Sequence, residues 1–248
     1  MQSKLFIFIL IAIFLSSQGC NHCENGGEEA YNFPKLPSKP PMTNEEINAF
    51  YQLPKQEKKC LTTPALIETC LTYPQFDLVF AWINLQTGYQ HIESIFNGLQ
   101  EFNNRKDKAQ CLLDKYKSMD PEGYDTTWSL VEIGHFTFSF VYIELMLGQN
   151  DLLGSLSIDK KVSLLEECQG KYTIIKNDST TYGVPAGTSI VCFIMARMMY
   201  NDNYQPLLDL YNSSEDYFDL VNYAGNNNSA VNESVFSLSQ QFLITIKN

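Results

Sequence analysis

The stretch Thr62–Met119 constrains the fold most, because its apolar residues recur at helical spacing between proline and glycine joints. Thr63 and Pro64 begin one helix, since a proline in the first turn lacks only a backbone donor that would have no partner there. Leu112 and Tyr116 share the apolar face of a later helix. The pattern predicts several short amphipathic helices packed on one another.

Three further segments are apolar enough to form the centre of the domain: 76–83, 128–147 and 189–200. The first, FDLVFAWI, is predicted as a short buried helix, with a strand as the alternative because so brief a run has no clear period. The second is apolar on nearly all sides, as a helix enclosed by others would be. Two features disfavour a helix there: the strand-like alternation over 135–142, and Gly134.

The predicted fold class is therefore all-α, an irregular array of short amphipathic helices around one or two central apolar helices. LIETC at 66–70 is echoed by LLEEC at 164–168, which leaves an α-α repeat arrangement open. A transmembrane helix at 128–147 is disfavoured because Glu132, His135 and Glu144 are spaced through it.

The first residues predict export. Lys4 precedes the unbroken apolar run LFIFILIAIFL at 5–15, and small or polar residues follow, which is the order of a secretory signal. The run of about 11 residues is too short to cross a bilayer as a helix, which takes roughly 20. We expect a signal peptide at 1–19, with a buried N-terminal helix as the alternative.

Cleavage after Gly19 would leave Cys20 at the new N-terminus, where a bacterial lipoprotein carries its lipid. Ser17 and Gln18 depart from the usual lipoprotein pattern, so free secretion is the alternative. Residues 20–42 are rich in glycine and proline and predict a tether between lipid and domain. The expected location is the outer membrane or cell surface for a lipoprotein, or else the periplasm or the medium.

The remaining residues, 43–248, suffice for a single helical domain, with a subdivision near 120–125 left open. Without Lys4 the chain has 16 basic and 28 acidic residues, a formal charge of −12. Such a charge repels phosphate backbones, and the sequence has no basic stripe with interleaved aromatic residues. We expect no nucleic-acid partner, and membrane association only through a lipid on Cys20.

The segments LIETCLTYP, FNGLQEF and LLDKY, all within Leu66–Tyr116, resemble a segment of uncharacterised exported bacterial proteins of the Bacteroidetes type. The resemblance covers under a quarter of the chain. It implies an envelope location and a helical domain, and it transfers no catalytic residue.

Glu132 and His135 are the best metal-binding candidates, since residues three apart share one face of a helix and paired Glu-x-x-His motifs build di-iron bundles. The other histidines, His22 and His91, supply no second motif. The favoured interpretation is a buried histidine beside a carboxylate, with no metal and no cofactor.

Four cysteines lie among apolar residues of predicted helices and are interpreted as buried thiols: Cys70, Cys111, Cys168 and Cys192. One or more disulfides are the alternative in an exported chain, and a zinc site is the least favoured. Five tyrosines near predicted loops could stack on sugars or peptides, although ordinary packing is favoured: Tyr73, Tyr89, Tyr124, Tyr182 and Tyr204.

The sequence has no serine-hydrolase, P-loop or Rossmann motif. The leading hypothesis is a non-catalytic envelope protein whose helical surface binds another protein or a glycan. The alternative is a hydrolase acting on peptide or glycan with a site that no motif reveals. A hydrolase would bring candidate groups together in an accessible cleft, whereas a binding protein would scatter or pair them and expose an apolar patch. These groups are Glu68, His91, Glu132, His135 and Glu144.

Overall fold

A computed structural model describes residues 27–37, 42–183, 186–224 and 228–247. These residues form 15 helices and no strand, so the predicted all-α class is confirmed. The predicted signal peptide at 1–19 and the predicted lipid site at Cys20 lie outside them.

The first seven helices are α1 (Asn44–Phe50), α2 (Lys55–Cys60), α3 (Thr63–Leu71), a 3-10 helix (Phe76–Ala81), α4 (Leu85–Ile95), α5 (Asn97–Asn103) and α6 (Lys108–Ser118). The rest are α7 (Leu130–Leu147), α8 (Asn150–Ser155), α9 (Ile158–Asn177), α10 (Ser179–Tyr182), α11 (Ala186–Asn201), α12 (Gln205–Ser213), α13 (Glu215–Tyr223) and α14 (Ser229–Lys247). Hydroxyl side chains cap several of them, as Thr43 does for α1 and Ser129 for α7.

Helix α11 is the centre of the domain. It packs against α7, α9, α13 and α14, and every residue from Thr188 to Met199 is buried. The predicted central segment 189–200 is therefore confirmed. Helix α3 packs against α5 and α6 in the first half of the chain, and α7 contacts both groups of helices.

The other two predicted central segments are only half buried. Segment 76–83 forms a 3-10 helix in which Phe76 and Val79 are buried, while Ile83 beyond it is 92% exposed. A 3-10 helix has three residues per turn, so residues three apart share an edge and the others turn outward. In α7 the residues from Phe140 onward are mostly buried, but Leu130 at the start is 88% exposed. The prediction that other helices enclose both segments was wrong for the end of segment 76–83 and for the start of segment 128–147.

Part of the predicted tether contacts the domain. The carbonyl oxygen of Gly27 accepts a 2.8 Å hydrogen bond from the Thr62 amide, and the Tyr31 amide donates one of 2.9 Å to Oγ1 of Thr69. The half-buried ring of Phe33 packs edge-on against the buried rings of Tyr51 and Tyr73. Residues 27–33 are thus attached to the helices near α3, while 20–26 and 38–41 lie outside the described residues.

A buried arginine joins α11 to three other parts of the fold. Arg197 donates hydrogen bonds of 2.9 Å to the carbonyl oxygen of Gly148, 2.8 Å to that of Val221 and 3.0 Å to Oε1 of Gln86. Its guanidinium also lies over the Phe193 ring, 4.4 Å from the centroid. These bonds satisfy carbonyl groups at the ends of α7 and α13.

Candidate functional site

Glu132 and His135 lie in the first turns of α7, and both are exposed. The Glu132 carboxylate accepts hydrogen bonds from the Ser129 amide and hydroxyl, each 2.7 Å, and these bonds lower its pKa. Glu132 is therefore a capping-box residue of α7. The expectation that His135 is buried was wrong, because this end of α7 extends beyond its neighbours.

The remaining candidate groups have separate partners. Glu68 forms a 2.5 Å ion pair with Lys115, and the His91 ring packs 4.6 Å from that of Trp82. Glu144 lies inside the core. Among the residues that the structure describes, no group of three or more His, Cys, Asp or Glu side chains could hold a metal ion.

Three of the four predicted thiols are buried: Cys70, Cys168 and Cys192. Burial raises the pKa of each of them, because a thiolate loses its hydration in the core. A thiol that does not ionise is a weak nucleophile. Cys111 is half-buried and free, whereas Cys60 is disulfide-bonded.

Glu144 belongs to a buried polar cluster with Tyr116 and Lys171. The Tyr116 hydroxyl donates a 2.7 Å hydrogen bond to Oε1 of Glu144. Lys171 Nζ lies over the Tyr116 ring, 4.8 Å from its centroid, forms a 2.9 Å ion pair with Glu167 and donates to the Met119 carbonyl. Burial raises the pKa of Glu144 to about 8, although Tyr116 and Lys171 act in the opposite direction.

A small cavity of about 150 Å³ lies beside Glu144. It opens between the 3-10 helix, α7 and α11, and most of its lining is apolar or aromatic. Its principal side chains are Phe80, Phe138, Val141, Tyr182 and Ile190, with Glu144 as the carboxyl group. The cavity is large enough for one side chain or a small apolar group.

Exposed apolar side chains lie at this cavity and farther toward the start of α7. The rings of Phe80 and Phe138 are 5.0 Å apart, and both are partly exposed. Val131 lies two turns before Phe138 on the same side of α7, and it is 68% exposed. Leu130 stands next to it. We call these four residues the apolar surface.

A larger open groove of about 780 Å³ lies at the ends of α9, α11 and α14. Lys161 and Asp202 in this groove form an ion pair, and the Tyr204 ring packs 5.1 Å from that of Phe242. The two charged side chains of the groove are thus paired with each other. Of the other tyrosines proposed for stacking, Tyr73 and Tyr89 are buried in the core, so neither ring is available to a ligand.

No family model matches the chain, and neither a curated protein nor a solved structure matches it. The resemblance of Leu66–Tyr116 to exported bacterial proteins stays a prediction.

Only some of the residues at the cavity could be identified from the sequence. Glu144 stands out as a charged residue in an apolar run. No local sequence pattern predicts the contact between Phe80 and Phe138, because the two residues belong to elements far apart in the chain.

Proposed function

We propose that this chain is an exported, lipid-anchored, non-catalytic protein of the cell envelope that binds another envelope protein through the apolar surface. The observation that carries the proposal is the exposure of Leu130 and Val131, two turns along α7 from the Phe138 ring that packs against Phe80. Exposed apolar side chains that lie near one another on the surface of a domain are typical of interaction sites.

A protein partner fits this surface better than a glycan does. Leu130 and Val131 have no hydrogen-bonding group in their side chains, whereas sugar recognition needs polar groups that pair with hydroxyls. Burying such an aliphatic side chain contributes about 1.5–3 kcal/mol. The cavity that Phe80 and Phe138 line has room for an apolar side chain of the partner.

The distribution of the candidate catalytic groups favours a binding protein over the hydrolase alternative. Glu132 caps α7, Glu68 is paired with Lys115, and Glu144 is bonded to Tyr116. Within the described residues these groups do not share a cleft, so none of them can act on one substrate together with another.

The disulfide of Cys60 supports export, because disulfides persist in oxidising compartments and are rare in the cytosol. The lipid anchor on Cys20 rests on the sequence of the first 20 residues. Comparing the wild type with Cys20→Ser after feeding cells a labelled lipid precursor tests it, since the label should be lost in the variant.

The binding surface can be tested with two matched substitutions. Leu130→Gln with Val131→Gln changes the start of α7, and Ile158→Gln changes the equally apolar and 64% exposed first residue of α9. Affinity capture from envelope extracts should recover a partner with the wild type and with Ile158→Gln, but not with the α7 double variant. Equal recovery with both variants would contradict this role of the apolar surface, and glycan or peptide hydrolysis by the purified protein would favour the alternative.

A further inference from the structure

The cavity beside Glu144 has an aromatic entrance and a polar inner end. At the entrance, Phe80 and Phe138 are 43% and 42% exposed. Phe140 and Glu144 also line the cavity, and each has only 1% of its surface exposed. They lie four residues apart on one side of α7. A small molecule that enters past the two rings therefore reaches a carboxyl group that bulk water does not reach.

The carboxyl group of Glu144 has one oxygen atom without a partner. Oε1 accepts the 2.7 Å hydrogen bond from Tyr116. Oε2 accepts no hydrogen bond from any residue that the structure describes, and none of these residues forms an ion pair with Glu144. Lys171 forms its 2.9 Å ion pair with Glu167 instead, and it does not belong to the cavity lining. A buried carboxyl group without a cation either keeps its proton or binds a cation from outside.

The other two polar side chains of the lining are hydroxyl groups that already have acceptors. The Thr137 hydroxyl donates a 3.1 Å hydrogen bond to the Gly134 carbonyl oxygen, and the Tyr182 hydroxyl donates one of 2.6 Å to that of Pro121. Glu144 is therefore the group in this lining that can fix the polar end of a ligand.

A cation suits this carboxyl group better than a neutral hydrogen-bond donor does. A hydrogen bond from an ammonium group to a carboxylate is roughly twice as strong as one between neutral groups. The formal charge of the chain, −11, adds a general attraction for cations. Aromatic rings also attract cations to their faces, and the lining contains four rings, those of Phe80, Phe138, Phe140 and Tyr182.

We propose that this cavity binds a small primary amine with an apolar body, such as benzylamine. The ammonium group of the amine donates to Oε2 of Glu144, and its ring packs against Phe80 and Phe138. A cavity of about 150 Å³ holds a molecule of the size of benzene, so the ring fits. The proposal goes beyond the proposed function and needs neither the lipid nor a protein partner.

Binding of the amine should release a proton. Burial raises the pKa of Glu144 to about 8 in the free protein, so at pH 6 the carboxyl group must lose its proton before it pairs with an ammonium group. The affinity should then rise with pH up to about pH 8, by up to about tenfold per pH unit. Lys171 stays paired with Glu167. Burial raises the pKa of the other ionisable groups around Glu144, so they lose no proton in this range: Tyr116, Cys168, Tyr182 and Cys192.

Isothermal titration calorimetry of the purified protein with benzylamine tests the site, and benzyl alcohol is the matched neutral probe. We expect benzylamine to bind at least about tenfold more tightly at pH 8 than at pH 6, while the affinity for benzyl alcohol does not rise. At pH 7, the difference between the binding enthalpies in phosphate and in HEPES counts the protons released, which should be close to one per benzylamine. Absence of benzylamine binding, absence of proton release, or equally tight binding of benzyl alcohol at pH 8 would overturn the proposal.

Substitutions inside and outside the cavity locate the amine. Glu144→Gln keeps the size of the side chain and should weaken benzylamine binding by about tenfold or more, because a charge-assisted hydrogen bond is lost. Val141→Phe fills the cavity and should weaken it too, whereas Leu130→Gln with Val131→Gln, at the start of α7, should leave it unchanged. Unaltered affinity in both cavity variants would place the amine elsewhere and overturn the proposal. The proton release is measured on the wild type, so it decides the question even where a variant does not fold.

Discussion

The Tyr116 hydroxyl donates a 2.7 Å hydrogen bond to Oε1 of Glu144, and both residues are buried. This bond joins α6 to α7 and gives the one carboxylate in the interior of α7 a partner. Glu144 also lines the cavity that Phe80 and Phe138 border. Removing either side of the pair has consequences that can be measured.

Tyr116→Phe should destabilise the fold by about 1–3 kcal/mol, because a buried carboxyl group would lose its hydrogen-bond donor. Urea denaturation followed by circular dichroism measures the free energy of unfolding. Tyr223→Phe, at an exposed position, is the control and should change that free energy by no more than about 0.5 kcal/mol. Similar values for the two variants would show that the Tyr116 bond contributes little.

Stability should fall as the pH rises toward 8. The pKa of Glu144 is raised from 4.5 to about 8 in the folded state, so the folded protein binds a proton that the unfolded chain releases between these values. The free energy of unfolding should therefore decrease from about pH 4.5 to about pH 8, by up to ~1.4 kcal/mol per pH unit from this group.

Glu144→Gln removes this titration and should flatten that decrease. Denaturation of both proteins at pH 5, 6, 7 and 8 gives the difference in slope directly. Parallel pH profiles for the wild type and Glu144→Gln would show that Glu144 does not titrate in this range.

Arg197→Met should cost about 3 kcal/mol or more, since carbonyl groups at the ends of α7 and α13 lose their donor and each such loss costs about 1–3 kcal/mol. Thermal unfolding provides the measurement. Lys247→Met is the control, because it also removes a cation. Lys247 forms a 2.6 Å ion pair with Glu166 at the surface, so this variant should lose less than ~1 kcal/mol of folding stability. A loss at Lys247 as large as that at Arg197 would contradict the assigned role of Arg197.

Two helical glycines should respond in opposite directions to alanine. At Gly134, in the exposed part of α7, a Cβ atom would meet nothing within 4 Å, so Gly134→Ala should stabilise the fold by about 0.5–1 kcal/mol. At Gly88 in α4 a Cβ atom would lie 2.2 Å from the Val79 carbonyl oxygen, so Gly88→Ala should destabilise it by about 1–3 kcal/mol. Calorimetry of the two variants checks both signs, and a stabilised Gly88→Ala would show that the 3-10 helix does not pack tightly on α4.

The sequence on its own determined the helices, because helix formation depends on neighbours three and four residues apart and on local caps. The apolar stripe of α6 and the proline at the start of α3 are visible without a structure. The buried thiols Cys70, Cys168 and Cys192 follow from the same stripes.

Only the tertiary structure decided which apolar side chains reach the core. Val79 is buried and Phe80 is partly exposed because of the helices that pack on them, and nothing in FDLVFAWI separates the two. The bond between Tyr116 and Glu144 likewise joins residues 28 apart in sequence. Burial is a property of the packed helices together, so a local pattern predicts that a face is apolar but cannot say whether another helix will cover it.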